Sequence, residues 1–598
     1  MPLLAVCQLS DPISFVTRAK LVLALEAKDS YHSCVKGIMP GSTKGSVVAT
    51  TSELNVAQLL VECIENEGVE YIFGLPGEEN IHIIDALRDS SIRFILVRSE
   101  QGGSFMADIY GRLTGKAGVC LATLGPGAIN LLLGVADAQL DSSPLVAISA
   151  QAGLNRIFKE SHQSIDLVGL FRTTTKWADT ITIPGATPEM VRKAFKVAQS
   201  ERPGATALIV PEDVEKLKAS GKPLPLNWPR GEAPSAEQVT RAVEVLDDAR
   251  TPVILAGHGA SRSHAAEALI RFSERLRIPV ATTYMGKGVF PEDHSNALGT
   301  IGFMRHDYGN FGFDQADVVI TVGYDLVEYP PDRWNPNGDK RIVHMHHTVA
   351  EVDAHYSLAV GVEGNIPDTL DAVAAAATPK DRGQKVNARI RELLQTEMEE
   401  GRTDDSFPLK PQRIVADIRA AMGESDIVLA DTGAIKMWMA RLYRCYQPET
   451  CLVSNGLATM AFSLPGALGA KLAYPERKVL AAMGDGSFLM NSQELETAMR
   501  EKIHFVVLVW VDEHYGLIKW KQELELGRPT FVKFTNPDFM KQAESYGAKG
   551  YKIEAADELL PTLRQALEEE MVSIIACPVD YSENLKLTDK LGELTHPV

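Results

Sequence analysis

Short apolar segments alternate with amphipathic helical segments along this chain from about residue 54 to residue 580. The apolar segments end in glycine, proline or a polar residue, as they do at 94–97, 119–123 and 505–511. Strands that alternate with helices build parallel sheets with helices on both faces. The sequence therefore predicts a doubly wound α/β fold, in which ligands bind at the carboxyl ends of the strands.

The alternating pattern is interrupted twice, which predicts three successive α/β domains. Prolines are dense between residues 222 and 234, and a charged stretch covers residues 374–404. We predict domains over residues 54–220, 235–375 and 405–585. Residues 1–53 have a different composition, and we expect them to be a flexible N-terminal extension.

Charge and cysteine content exclude several partners. A formal charge of −18 argues against nucleic acid and against an anionic membrane surface. No apolar run approaches the roughly 20 residues that span a bilayer. The seven cysteines are scattered without a C-x-x-C pair, which indicates reduced thiols and a cytoplasmic protein. Organelle targeting by residues 1–50 is the alternative, and it is disfavoured because acidic residues interrupt that stretch.

Two aspartates follow apolar strands near the C-terminus, and they indicate a metal site. Asp485 lies in Gly484-Asp485-Gly486-Ser487, and Asp512 follows the strand predicted at 505–511. One or two carboxylates plus phosphate oxygens are the ligands that Mg²⁺ prefers. The glycines let the backbone approach a diphosphate, and a helix predicted over 491–499 would add donor amides. This pattern resembles the metal and diphosphate signature of thiamine-diphosphate enzymes.

Two further side chains suit that cofactor. Glu100 follows the strand predicted at 94–97 and, if partly desolvated, can activate the aminopyrimidine ring as an acid. Met460 is a flexible apolar residue that can wedge the cofactor into a bent shape, although a methionine that fills a core gap is the alternative.

The chain resembles the acetolactate synthase (acetohydroxyacid synthase) family of thiamine-diphosphate enzymes, and particularly its flavin-free catabolic type. The resemblance covers about residues 54–580 and is carried by Phe73-Gly74-Leu75-Pro76-Gly77, Glu100-Gln101, Gly125-Pro126-Gly127, Ser161-His162-Gln163-Ser164 and Tyr324-Asp325-Leu326-Val327-Glu328-Tyr329. It implies three domains of the thiamine-diphosphate enzyme fold, namely pyrimidine-binding, central and diphosphate-binding.

The resemblance also implies the role of each site residue. Catalysis would involve Glu100, Gln163 and Met460. Mg²⁺ would be held by Asp485, Asp512 and the carbonyl oxygen of His514. The residues that would bind thiamine diphosphate are Pro76, Gly77, Glu100, Met460, Gly484, Gly486, Ser487 and Tyr515. Gln163 would also line the substrate pocket. FAD is not expected, and the aminopyrimidine and the diphosphate would lie on different subunits of a homodimer, itself expected within a homotetramer.

Two positions depart from the family pattern. Ser99 stands where catabolic members usually have histidine, and Lys521 stands where they have glutamine. A lysine in the pocket would attract the carboxylate of an oxo acid, whereas a solvated helix residue is the alternative.

These features predict a carboligase that decarboxylates pyruvate and joins the two-carbon unit to a second pyruvate, which gives 2-acetolactate. A related 2-oxoacid decarboxylase, or a carboligase with an aldehyde or another oxo acid as acceptor, is the first alternative. A flavin-dependent oxidase-like enzyme and a non-catalytic paralogue are the others.

Overall fold

The computed structural model describes residues 54–227, 231–302, 307–380 and 385–587. The extension expected over residues 1–53 lies outside the described residues. The described residues contain three parallel sheets of six strands each, flanked by helices, together with one short antiparallel pair. The predicted doubly wound α/β fold is therefore confirmed, while the predicted domain boundaries stay a prediction.

The first sheet has the strand order β3-β2-β4-β5-β7-β6. The strands in this part of the chain are β1 (Leu54–Asn55), β2 (Tyr71–Gly74), β3 (Arg93–Leu96), β4 (Gly118–Ala122), β5 (Leu145–Gln151), β6 (Trp177–Thr180), β7 (Ala205–Pro211) and β8 (Lys218–Ala219). The helices are α1 (Val56–Asn66), α2 (Ile81–Arg88), α3 (Glu100–Thr114), α4 (Pro126–Leu140), α5 (Leu167–Arg172), α6 (Thr187–Gln199) and α7 (Glu212–Glu215). β1 and β8 form the antiparallel pair.

The second sheet has the order β11-β10-β9-β12-β13-β14, so the chain reverses its direction of winding between β9 and β12. Its strands are β9 (Pro252–Ala256), β10 (Val280–Thr283), β11 (Ala297–Ile301), β12 (Val318–Val322), β13 (Arg341–His346) and β14 (Leu358–Glu363). The helices are α8 (Ala236–Asp248), α9 (His258–Arg262), α10 (Ala266–Leu276), α11 (Asn310–Asp314) and α12 (Ile366–Ala376). Such a reversal opens a crevice at the carboxyl ends of the two strands.

The third sheet has the order β16-β15-β17-β18-β20-β19. Its strands are β15 (Ile427–Ala430), β16 (Cys451–Leu452), β17 (Val479–Gly484), β18 (Val506–Val511), β19 (Lys549–Lys552) and β20 (Ser573–Pro578). The helices are α13 (Lys385–Thr403), α14 (Pro411–Ala421), α15 (Ala434–Leu442), α16 (Ser463–Ala473), α17 (Asp485–Asn491), α18 (Glu494–Glu501), α19 (Gly516–Leu526), α20 (Phe539–Tyr546) and α21 (Leu559–Leu567).

The first and third domains share one apolar core, in which α3 packs against α16. The two helices approach so closely that a Cβ atom on Gly469 would lie 2.4 Å from the carbonyl oxygen of Met106. A Cβ atom on Gly466 would likewise lie 2.9 Å from the Ile109 side chain. Each fully buried side chain of this core contributes about 1.5–3 kcal/mol. The crossing therefore fixes the start of α3 relative to the third sheet.

Among the described residues, no helix combines the length and the apolar character that crossing a bilayer requires.

Candidate active site

A cleft of about 620 Å³ lies at the carboxyl ends of β15, β17 and β18. Eight residues proposed from the sequence line it, namely Met460, Gly484, Asp485, Gly486, Ser487, Asp512, His514 and Tyr515. They come together because the carboxyl ends of adjacent parallel strands share one edge of the sheet. Apolar side chains of Ile435, Leu517 and Ile518 complete the walls.

Four donors fix the buried carboxylate of Asp485. Its Oδ1 accepts the N–H of Gly486 at 2.9 Å. Its Oδ2 accepts the N–H groups of Glu513 at 2.8 Å and Asp512 at 3.2 Å, and the side-chain amide of Asn536 at 2.8 Å. A buried carboxylate with this many donors keeps one orientation. Asp485 is thus a rigid ligand candidate rather than a mobile one.

The second carboxylate, Asp512, lies beside the first. Burial raises the pKa of Asp512 to about 6, and the negative charge of Asp485 adds to the effect. No group of three or more Asp, Glu, His or Cys side chains arranged for a metal occurs in the part of the chain that the structure describes. Two carboxylates that repel each other suit a divalent cation whose remaining ligands are phosphate oxygens and water. The donor set therefore fits Mg²⁺ held together with a diphosphate.

The start predicted for the helix over residues 491–499 is wrong. The chain enters α17 at Asp485, passes through Ser492 and Gln493, and continues as α18. An acidic residue in the first turn favours a helix start, because it interacts with the positive end of the helix. Gly486 leaves room there for the ring of Tyr515, since a Cβ atom would lie 3.0 Å from it.

Met460 lies on the segment between β16 and α16 and reaches the cleft half-buried. The end of this segment is held by Asp431, whose carboxylate accepts the N–H groups of Ala461 at 2.9 Å and Ser463 at 3.1 Å. Burial raises the pKa of Asp431. The sequence analysis missed Asp431, although it directly follows the apolar run that forms β15, and the strand-end pattern would have found it.

Glu100 is the first residue of α3 and lies against the start of α4. Its Oε2 accepts the side-chain amide of Asn130 at 3.0 Å. A Cβ atom on Gly127 would lie 3.2 Å from its Oε1, so the glycine gives the carboxylate room. Glu100 is half-buried and Asn130 is exposed. No feature of the sequence alone indicated Asn130.

The other residues proposed for the first domain surround the turn at 125–127, where α4 begins. A Cβ atom on Gly77 would lie 2.4 Å from that of Thr123, just before the turn at 125–127. Gln163 is exposed with φ +56°, and its carbonyl oxygen would lie 2.8 Å from a Cβ atom on Gly125. Pro76 is exposed. These residues form the first half-site, which we define as Pro76, Gly77, Glu100, Asn130 and Gln163.

The cleft of the third domain and the first half-site do not share lining residues within one chain. Among the described residues, none of the first half-site lines the cleft of the third domain. Lys521 is exposed on α19 and is also absent from the lining. The roles proposed for Gln163 and Lys521 stay predictions.

Comparison with known proteins identifies the family. Residues 54–170, 239–373 and 431–577 match the N-terminal TPP-binding, central and C-terminal TPP-binding domains of thiamine pyrophosphate enzymes. The acetolactate synthase of Bacillus subtilis is 36% identical over 552 residues, which cover 90% of this chain and 96% of that protein. The chain belongs to the acetolactate synthase family of thiamine pyrophosphate enzymes.

Other members of the acetolactate synthase family are similarly close. The catabolic acetolactate synthase of Raoultella terrigena is 35% identical over 545 residues, with 90% of this chain and 97% of that protein covered. A probable acetolactate synthase large subunit of Methanocaldococcus jannaschii is 36% identical over 563 residues, with 91% and 95% covered. The resemblance stated from the sequence is thereby confirmed.

In this member of the acetolactate synthase family, a buried acidic side chain lies where the central domain reverses its winding, between the ends of β9 and β12. The carboxylate of Glu328 accepts the N–H of His258, at the start of α9, at 3.0 and 3.1 Å. It also accepts the N–H of Asp325 at 3.0 Å and the hydroxyl of Thr283 at 2.5 Å. Burial and the charge of Asp325 raise the pKa of Glu328 to about 8. An acidic side chain thus occupies the position where a helix start would bind a phosphate.

Proposed function

We propose that this protein is an acetolactate synthase, which decarboxylates pyruvate and joins the two-carbon unit to a second pyruvate. The observation that supports this most is the cleft with Asp485, Asp512 and Met460 in a chain that also presents Glu100 at the start of α3. Thiamine diphosphate supplies the nucleophilic carbon and accepts the electron pair released with CO₂. The protein binds, orients and shields it.

Mg²⁺ is the metal we propose for the third domain. Asp485, Asp512 and the carbonyl oxygen of His514 would hold it, and Gly484, Gly486 and Ser487 would lie against the diphosphate. The orientation of Asp485 by four donors and the raised pKa of Asp512 support this assignment. The ion would act mainly as a template that anchors the cofactor.

Glu100 is proposed as the acid that activates the cofactor. Asn130 occupies Oε2, which leaves Oε1, beside Gly127, for the aminopyrimidine ring. A carboxylic acid at that point can donate and take back a proton. Met460, together with the apolar walls formed by Ile435 and Ile518, would exclude water from the reacting carbon.

A homodimer is proposed as the minimal active unit, with a homotetramer as the expected assembly. No residue of the first half-site lines the cleft within one chain, so a second copy would bring the two together. Two apolar side chains of α4 that flank Asn130 support this: Ile129 is 51% exposed and Leu133 is 38% exposed. A 2-oxoacid would enter between the subunits, where we place Gln163 and Lys521.

FAD is not expected to bind, and the support for this is that Glu328 already takes the backbone N–H at the start of α9. A cytoplasmic location is also proposed. The described cysteines, Cys63, Cys120, Cys445, Cys451 and Cys577, are all buried free thiols, which suits a reducing compartment.

The experiment that tests the function is mass spectrometry of the products from pyruvate with thiamine diphosphate and Mg²⁺, with and without 2-oxobutanoate. Acetolactate as the main product is the expected result. Acetaldehyde in its place would identify a 2-oxoacid decarboxylase, and no product would refute the proposal. The E100Q variant is expected to bind the cofactor but to turn over very slowly.

A further inference from the structure

The segment that carries Met460 is held by the first domain as well as by its own. We define the Met460 segment as residues 454–461. The Oδ1 atom of Asp137, on α4, accepts the hydroxyl of Ser454 at 2.6 Å and that of Thr459 at 3.2 Å. The Ser454 hydroxyl in turn accepts the N–H of Thr459 at 2.7 Å. One carboxylate therefore closes both ends of a tight loop that ends beside Met460.

A second acid, Asp141, holds the middle of the same segment. It directly follows α4, and its carboxylate accepts the N–H groups of Asn455 at 2.9 Å and Gly456 at 2.6 Å. Arg112 pairs with Asp141 at 2.9 Å and donates to the carbonyl oxygen of Val453 at 2.6 Å. The contacts thus continue from the loop back to the end of β16.

These groups are almost completely removed from water. Asp137 is 0% exposed and Asp141 is 3% exposed. The Oδ2 atom of Asp137 has no hydrogen-bond partner among the described residues. Burial and the nearby charges of Asp141 and Asp108 raise the pKa of Asp137 well above its usual range. A hydroxyl that loses Asp137 here has no water to replace it, so the loop would have to move.

The same helix also holds the first half-site. Asn130, on α4, donates to Glu100, while Asp137 is seven residues further along the helix. α4 is therefore in contact with the proposed activating acid at one end and with the Met460 segment at the other.

We infer that Asp137 is a positioning residue, which sets the place of Met460 in the cleft through the hydroxyls of Ser454 and Thr459. The inference rests on the proposed function, because Met460 is assigned there to support the bound cofactor. A displacement of about 1 Å at a site that orients the reacting groups can lower turnover by about 100-fold. The effect of Asp137 should therefore appear in kcat, beyond any loss of stability.

The test uses the full-length holoenzyme with four substitutions. D137A and S454A remove the contact from either side, and D137N keeps an acceptor oxygen for both hydroxyls. S273A is the matched control, because Ser273 is equally buried and its hydroxyl donates to the carbonyl oxygen of Ile278 in the central domain, away from the Met460 segment. Turnover, thermal midpoint and amide hydrogen exchange of a peptide that covers 454–461 are measured for each variant.

D137A and S454A are expected to lower kcat by about 10- to 100-fold and to speed exchange in this peptide by about 5-fold or more. D137N should recover most of both, and S273A should change neither. Unchanged exchange and turnover in D137A and S454A would overturn the inference, and so would an equal loss of turnover in S273A. Failure of the proposed function would look different: the wild type would make no acetolactate, while the exchange measurement would still report on the loop.

Discussion

A mixed dimer can test directly whether each active centre is built from two chains. One copy carries E100Q, which damages the first half-site, and the other carries D512A, which damages the cleft. Both substitutions are expected to disturb the surrounding structure only slightly. Glutamine keeps the shape of Glu100 and its contact with Asn130. The Asp512 side chain accepts one long hydrogen bond, from the N–H of His514 at 3.4 Å, so alanine there removes little structure.

The expected activity follows from counting centres. In the mixed dimer, one centre joins intact Glu100 from one copy with intact Asp512 from the other. The second centre combines both substitutions, E100Q from one copy and D512A from the other, and is inactive. The purified mixed dimer should therefore have about half the wild-type activity, and an unselected equal mixture of the two chains about one quarter. Centres built within single chains would each carry one defect and give almost none.

Two affinity tags, one on each chain, allow the mixed dimer to be isolated after co-expression. Acetolactate formed from pyruvate is measured for the mixed dimer and for each parent variant. The parents must both be nearly inactive, and both must have wild-type thermal midpoints, for the comparison to hold. A mixed dimer no more active than its parents would refute the division of the site between subunits.

Three further outcomes follow from the geometry. Removal of Mg²⁺ with a chelator is expected to weaken thiamine-diphosphate binding by about 100-fold or more in calorimetry, because two repelling carboxylates would then face the diphosphate; unchanged affinity would exclude the metal site. N130A should lower kcat by about 10-fold with little change in the thermal midpoint, since it removes the donor that orients Glu100; a change in stability alone would make Asn130 structural. The raised pKa of Glu328 means that its stabilising contribution is present at low pH and is lost as the pH rises through about 8. Between about pH 5 and pH 8, the thermal midpoint of E328Q should accordingly fall less than that of the wild type. If the midpoints of the two proteins fell in parallel with pH, Glu328 would be ionised in the folded protein over this whole range.

Buried central strands were the most predictable part of the fold. The strand expected at 119–123 is β4, and the one at 505–511 is β18. Strands of parallel sheets are covered on both faces, so they appear in the sequence as continuous apolar runs. Two of the edge strands lack this signal. β6 and β19 lie at sheet edges with half-exposed and polar residues, and no apolar run marks them.

The site was predictable where it follows the ends of strands. Asp485 and Asp512 were found because each follows an apolar run that forms a strand. Asn130, Asp137 and Asn536 were not found, because they act through tertiary contacts with residues 30, 317 and 51 positions away. Sequence spacing carries no information about such pairs, since loop geometry and domain packing decide which side chains meet.

The buried acid between the ends of β9 and β12 also links the specificity of this domain to its folding. Two backbone N–H groups and one hydroxyl depend on Glu328 for their hydrogen bonds. A small apolar replacement would leave these donors unsatisfied, at about 1–3 kcal/mol each. A substitution of Glu328 that freed these donors for a dinucleotide would therefore first destabilise the domain. The flavin independence proposed above would consequently persist because the protein has to remain folded.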